Sequence, residues 1–139
     1  MKELLIHLRA MHLFTHSAHL LVARVPFHAD HEFFGEVYTK LENEYDDVAE
    51  RTIGLMGEMP LKLQDILAGV SAKLAMAPSV GMKENGSFYK HLLQMEMDLC
   101  KLVPMIISQG ATEGTKQLLG DICNRSEMRQ YKIKQRIKA

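Results

Sequence analysis

Tryptophan is absent from this chain, and proline occurs only four times in 139 residues. Scarce proline leaves long stretches free to stay helical, because little interrupts the backbone N–H ladder. Two cysteines, Cys100 and Cys123, are too few for a disulfide framework. Both fall in helical patterns and read as buried free thiols of a reducing, cytoplasmic setting. Net charge is missing as well: 17 basic residues face 17 acidic ones. That balance weakens any reading of the whole molecule as a polycation made for nucleic acid. No apolar run approaches the length that spans a bilayer, so no membrane partner is expected. Met1 to His7, with an early acid and a histidine, reads as a helix start and not as a signal peptide. No strand signal or internal repeat is present, and the length suits one domain over residues 1–139. Methionine, by contrast, is abundant at ten residues. It suits an adaptable helical core and can also present a soft surface to partners.

Apolar spacing predicts four long helices. The first runs from about Lys2 to Ala23, with Leu4, Leu8, Met11, Thr15, Ala18 and Val22 on one stripe. Leu5, His12, His16 and His19 lie on a neighbouring stripe. After a break at Arg24-Val25, Pro26 suits the first turn of a second helix, and Asp30 and Glu32 complement its dipole. That helix reaches about Leu55, with Gly35 as its weak point, before Gly57-Glu58-Met59-Pro60 stops it. Leu61 to Met76 is a shorter amphipathic segment with Leu63, Ile66, Leu67, Val70 and Leu74 on one side, followed by a loop from Ala77 to Gly81. A third long helix from Asn85 to Ser108 contains Pro104, and the last runs from about Thr112 to a basic end. The fold class is all-α: a four-helix bundle with a short extra helix in the connection between helices 2 and 3.

The chemistry concentrates between His19 and Arg51. His19 and His31 stand twelve residues apart across the first turn, and Asp46 and Glu50 stand one helical turn apart on one face. Each alone is ordinary. Acids at that spacing usually form a solvated face, and a helical histidine is more often a satisfied side chain than a ligand. Together, imidazole and carboxylate are the donors a transition metal such as iron prefers.

The combination resembles the Dps family, the mini-ferritins. The residues that carry the resemblance are His19, Phe27, His31 and the run Asp46-Asp47-Val48-Ala49-Glu50-Arg51, followed by the proline-introduced short helix at Met59-Pro60-Leu61-Lys62-Leu63. The match is sharpest over residues 16–67. It implies a ferritin-like bundle whose ferroxidase site lies at a subunit dimer interface, with His19 and His31 from one chain and Asp46 and Glu50 from its mate. The absence of any Glu-x-x-His agrees, since bundles with an internal di-iron site use that motif. The resemblance further implies a hollow dodecamer that oxidises Fe(II), usually with hydrogen peroxide, and stores the mineral.

This chain departs from the family at three places. Gly35 stands where an acid usually follows the second histidine, Leu20 replaces a tryptophan, and Arg24 replaces a glycine in the turn. His16 and His28, each nearly one turn before a candidate ligand, would shift the metal preference toward zinc or copper if they joined the site; the plain alternative is two exposed, inert side chains. DNA binding, the second family trait, rests on counterion release by a mobile basic tail. Here it falls to twelve copies of a helical basic end, Tyr131 to Lys138. The residues near the family's threefold pore, Glu113 and Asp121, are separated by Lys116. Two rivals follow: a shell that has lost fast iron oxidation and works as a DNA-binding or structural protein, and a small bundle that binds another ligand through its methionines.

Overall fold

The computed structural model describes residues 1–78 and 84–138. Five helices follow in order: α1 Lys2–Leu21, α2 Phe27–Met56, α3 Leu63–Leu74, α4 Asn85–Ser108 and α5 Glu113–Lys138. Gly57 ends α2 in a left-handed conformation (φ 84°), its N–H returning to the Ile53 carbonyl at 2.7 Å. Thr112 starts α5 by accepting the Thr115 N–H on its side-chain oxygen at 3.2 Å. Pro26 stands at the N-cap of α2, one place earlier than its expected position in the first turn. The helix α4 runs through Pro104 without a break. The Ala77–Gly81 loop lies in part outside the described residues.

Side-chain partners fix the topology. His7 of α1 bonds Met95 of α4, while Phe14 packs on Phe88 and His91, so these helices run antiparallel. Glu44 and Asp30 of α2 bond Arg129 and Arg136 of α5, again antiparallel. Thus α1–α2 and α4–α5 are two hairpins joined by a long crossover that carries α3. The expected apolar stripes are buried: Leu4, Leu8, Met11 and Ala18 on α1; Phe34, Val37, Leu41, Tyr45 and Val48 on α2; Phe88, Leu92, Met95 and Leu99 on α4. In α3 Ile66 and Val70 are buried and Leu74 packs half-buried against the core. Leu63 and Leu67 are exposed, because α3 seats on α1 with Gly69 pressed against Ile6, and those two leucines fall beyond that contact. Cys100 and Cys123, expected to be buried, are half-buried.

Charge is also buried. Glu44 and Glu96 lie in the bundle interior on either side of Arg129, which bonds both carboxylates. Ser126 donates to Glu96 at 2.6 Å and Arg125 to Glu44 at 2.8 Å. Burial opposes the Arg129 charge, but Glu96 and Glu44 outweigh it and hold the guanidinium protonated more firmly than usual. No helix among the described residues is long and apolar enough to cross a membrane.

Candidate metal centre

The turn between α1 and α2 brings His19 and His31 face to face. Their rings stack with centroids 3.7 Å apart and planes 22° apart. His19 Nδ1 bonds the His31 carbonyl at 2.7 Å, and His31 Nδ1 bonds the His19 carbonyl at 2.7 Å. A carbonyl can only accept, so both Nδ1 atoms carry the proton. When each ring is neutral, Nε2 is therefore left with its lone pair, the form in which imidazole binds a metal. Neither Nε2 makes a hydrogen bond among the described residues, and neither is enclosed. Phe27 stacks on His31 at 5.0 Å and Tyr38 presents its edge to His19 at 5.3 Å, so both faces of the pair are held.

Three residues outside the expected ligand set hold this histidine pair in place. Gly35 is the first: a Cβ placed there would lie 3.0 Å from both Cε1 and Nδ1 of His19. The position where the resemblance leads one to expect an acid is where the His19 ring rests on α2. Asp30, read from sequence as a dipole complement, is the second. It is buried beside His31 and accepts bonds from Tyr89 (2.6 Å), Asn85 (2.8 Å) and Arg136 (3.0 Å, two bonds). Burial raises its pKa, yet these donors outweigh burial and bring it below the ordinary carboxylate value. Asn85 is the third, bonding both the N–H and the carbonyl of Ala23 in the turn. Only the spacing of Asp30 in the helix start was visible in sequence; its partners lie 55 to 106 residues away.

Asp46 and Glu50 lie elsewhere. Both are exposed on α2, fifteen residues or more beyond His31, which is about 22 Å of helix. Neither makes an ion pair among the described residues. Within one chain the acids cannot reach the histidines, and no group of three or more metal-ligating side chains forms among the described residues. His16 is exposed and packs on Tyr38 at 4.4 Å; His28 is exposed with its ring near Phe27 at 5.4 Å. Near the start of α5, Lys116 pairs with Glu113 at 2.8 Å.

No family model matches the sequence, and no curated protein matches it. Solved structures do. A mutant of the Dps of Listeria innocua superposes with a TM-score of 0.83 at 21% identity, covering 99% of this chain and 95% of that one. The fold is that of the Dps proteins. The Dps of Thermosynechococcus elongatus gives 0.81 at 20% identity over 96% of this chain and 85% of that one. The Dps of Vibrio cholerae O1, described as a member of a broad superfamily of ferritin-like diiron-carboxylate proteins, gives 0.66 at 20% identity, covering 95% and 82%. With about one residue in five identical, the likeness is one of fold.

Proposed function

We propose that the chain is a Dps-type mini-ferritin that oxidises and stores iron, with hydrogen peroxide as oxidant, in a dodecamer built from dimers. His19 and His31 of one chain and the Asp46 and Glu50 carboxylates of a second chain are the ligands to the iron substrate. The observation that carries this reading is the reciprocal pair of Nδ1–carbonyl bonds, which fixes both rings with Nε2 free. The separation of the acids from the histidines supports a site shared between chains, since each chain then offers two half-sites far apart on α2. Imidazoles hold Fe(II), while carboxylates favour Fe(III); the chain's own part is to orient donors without using up their lone pairs.

The test is anaerobic Fe(II) addition followed by peroxide, read as the rise of ferric absorbance. Wild-type protein should oxidise iron at least tenfold faster than the His31→Ala, Asp46→Ala double variant. Equal rates would remove the site. A solution mass of one or two chains would remove the shell.

Gly35 favours a second reading, a shell with slow iron oxidation that acts in DNA binding or as a structural protein, or that holds zinc at the same residues. Two features weaken its DNA arm. Arg136 is committed to Asp30 and Arg129 to the buried acids, leaving Lys132, Lys134 and Lys138 as the exposed cations of the basic end. Retardation of DNA in a gel, lost steeply with salt, would restore it.

A further inference from the structure

Cys100 and Cys123 take no part in the proposed iron site. They stand on adjacent antiparallel helices, and both are half-buried. Cys123, Ser126 and Gln130 share one face of α5 at three- and four-residue steps. The Cys100 sulfur of α4 lies against that face: it donates to Ser126 Oγ at 3.5 Å and accepts from Gln130 Nε2 at 3.5 Å. Cys123, the third member of the stripe, stands one helical turn before Ser126 on the face that the Cys100 sulfur touches.

We propose that Cys100 and Cys123 form a reversible intramolecular disulfide when the protein meets hydrogen peroxide. The inference does not depend on the iron reading, because it needs peroxide only.

The surroundings assign the two roles. Burial, then the neighbouring Cys100, pushes the Cys123 thiol up to about 12, so the first attack on peroxide falls to Cys100 and Cys123 acts second. Cys100 holds its sulfur against the α5 face between Ser126 Oγ and the Gln130 amide, turned toward the Cys123 stripe. Cys100 thiolate attacks one peroxide oxygen, the O–O bond breaks, and hydroxide leaves to take a proton as water. The sulfur is now a sulfenic acid, oxidised by two electrons. The Cys123 sulfur then attacks it; the S–S bond forms, the S–O bond breaks, and the Cys123 proton leaves with the hydroxide as a second water. Two thiols and one peroxide give one disulfide and two waters.

Closing the bond requires the two sulfurs to approach to about 2.05 Å. Pro104 eases this, since it has no N–H to offer the Cys100 carbonyl one turn earlier in α4. The Ser126–Glu96 bond beneath the pair is left in place, so the bundle interior need not reopen. The bridge would staple α4 to α5 across their connection and raise the melting temperature by several degrees.

The experiment uses the full chain, reduced, freed of reductant under nitrogen and held in chelator so that iron plays no part. After peroxide, the protein is denatured in N-ethylmaleimide and weighed. The expected product is lighter than the reduced chain by two hydrogens and takes up no maleimide, a peptide map links Cys100 to Cys123, and dithiothreitol restores both thiols. In Cys123→Ser, dimedone should label Cys100; in Cys100→Ser, Cys123 should stay unmodified. Full alkylation of both cysteines after excess peroxide would overturn the proposal. So would stable sulfinic acid in place of the bridge, or disulfides found only between chains.

Discussion

Two polar clusters in this bundle differ in what they leave unfilled. In the interior, Arg129 binds Glu44 and Glu96, with Arg125 and Ser126 taking further bonds, so the two buried acids are occupied by protein donors. At the α1–α2 turn, His19 and His31 spend one ring nitrogen each on a carbonyl and keep the other free. A buried carboxylate pair in a helical bundle is one way to hold metal. Here a guanidinium already sits between those acids, and the open donors are at the edge of the bundle. Function is better sought where satisfied groups hold unsatisfied ones in place than where charge is merely concentrated.

The largest effect should come from opening the closed cluster. Arg129→Leu leaves two carboxylates buried without their cation, and breaking such a pair costs about 3–5 kcal/mol. Urea denaturation should show a loss of that size. Restoring balance with Glu44→Gln, Glu96→Gln and Arg129→Met together should recover most of it. If the single variant proves as stable as wild type, Arg129 does not neutralise the two buried acids.

A smaller change tests the open cluster. Gly35→Ala would gain about 1 kcal/mol of helix propensity in α2. The new Cβ, however, would meet His19 at 3.0 Å and displace the ring by a few tenths of an ångström. Iron oxidation should fall about tenfold with little change in melting temperature. An unchanged rate would show that the His19 position is not what sets it.

The fold was legible because burial follows helical spacing: the stripes of α1, α2 and α4 are buried as their periodicity predicts. It failed at Leu63 and Leu67, where α3 has a single helix to cover it and spacing cannot say how wide the contact is. The meeting of His19 and His31 was foreshadowed by two helices joined through a short turn. What was hidden is the support: Asp30, Asn85, Tyr89 and Arg136 come together from three helices, and no local pattern joins them. Gly35 reads in sequence as a missing carboxylate; that its bare backbone also seats the His19 ring is visible only in the fold.

Two other histidines sharpen the contrast between open and closed donors. His7 gives its Nε2 proton to the Met95 carbonyl at 2.8 Å and buries Nδ1 without a partner; His91 buries Nε2 in the same way. Burial lowers both pKa values from the ordinary 6.5. A histidine whose folded pKa is depressed contributes stability that is present above the unfolded value and lost as pH falls through the folded one. The wild-type unfolding midpoint should therefore drop as pH falls below about 6.5. In His7→Leu, His91→Leu protein that slope should flatten. An equally steep slope in the double variant would assign the acid sensitivity to other groups.

The smallest expected effect concerns the turn that presents the open pair. Arg24 has φ 63°, a left-handed conformation that suits glycine and strains a residue with a Cβ. Arg24 makes no ion pair among the described residues that would offset the strain. The strain persists because neighbours fix the turn: Asn85 holds Ala23 on one side, and the Asp30 clamp holds the start of α2 on the other. Arg24→Gly should relieve roughly 1 kcal/mol of left-handed strain, less what a freer unfolded chain gives back, for a net gain of a few tenths measured in urea. Iron oxidation should not change, since the carbonyls that orient His19 and His31 belong to those residues themselves. A loss of stability would mean that the Arg24 side chain holds the turn. In that case the geometry of the histidine pair would depend on a residue that touches neither ring.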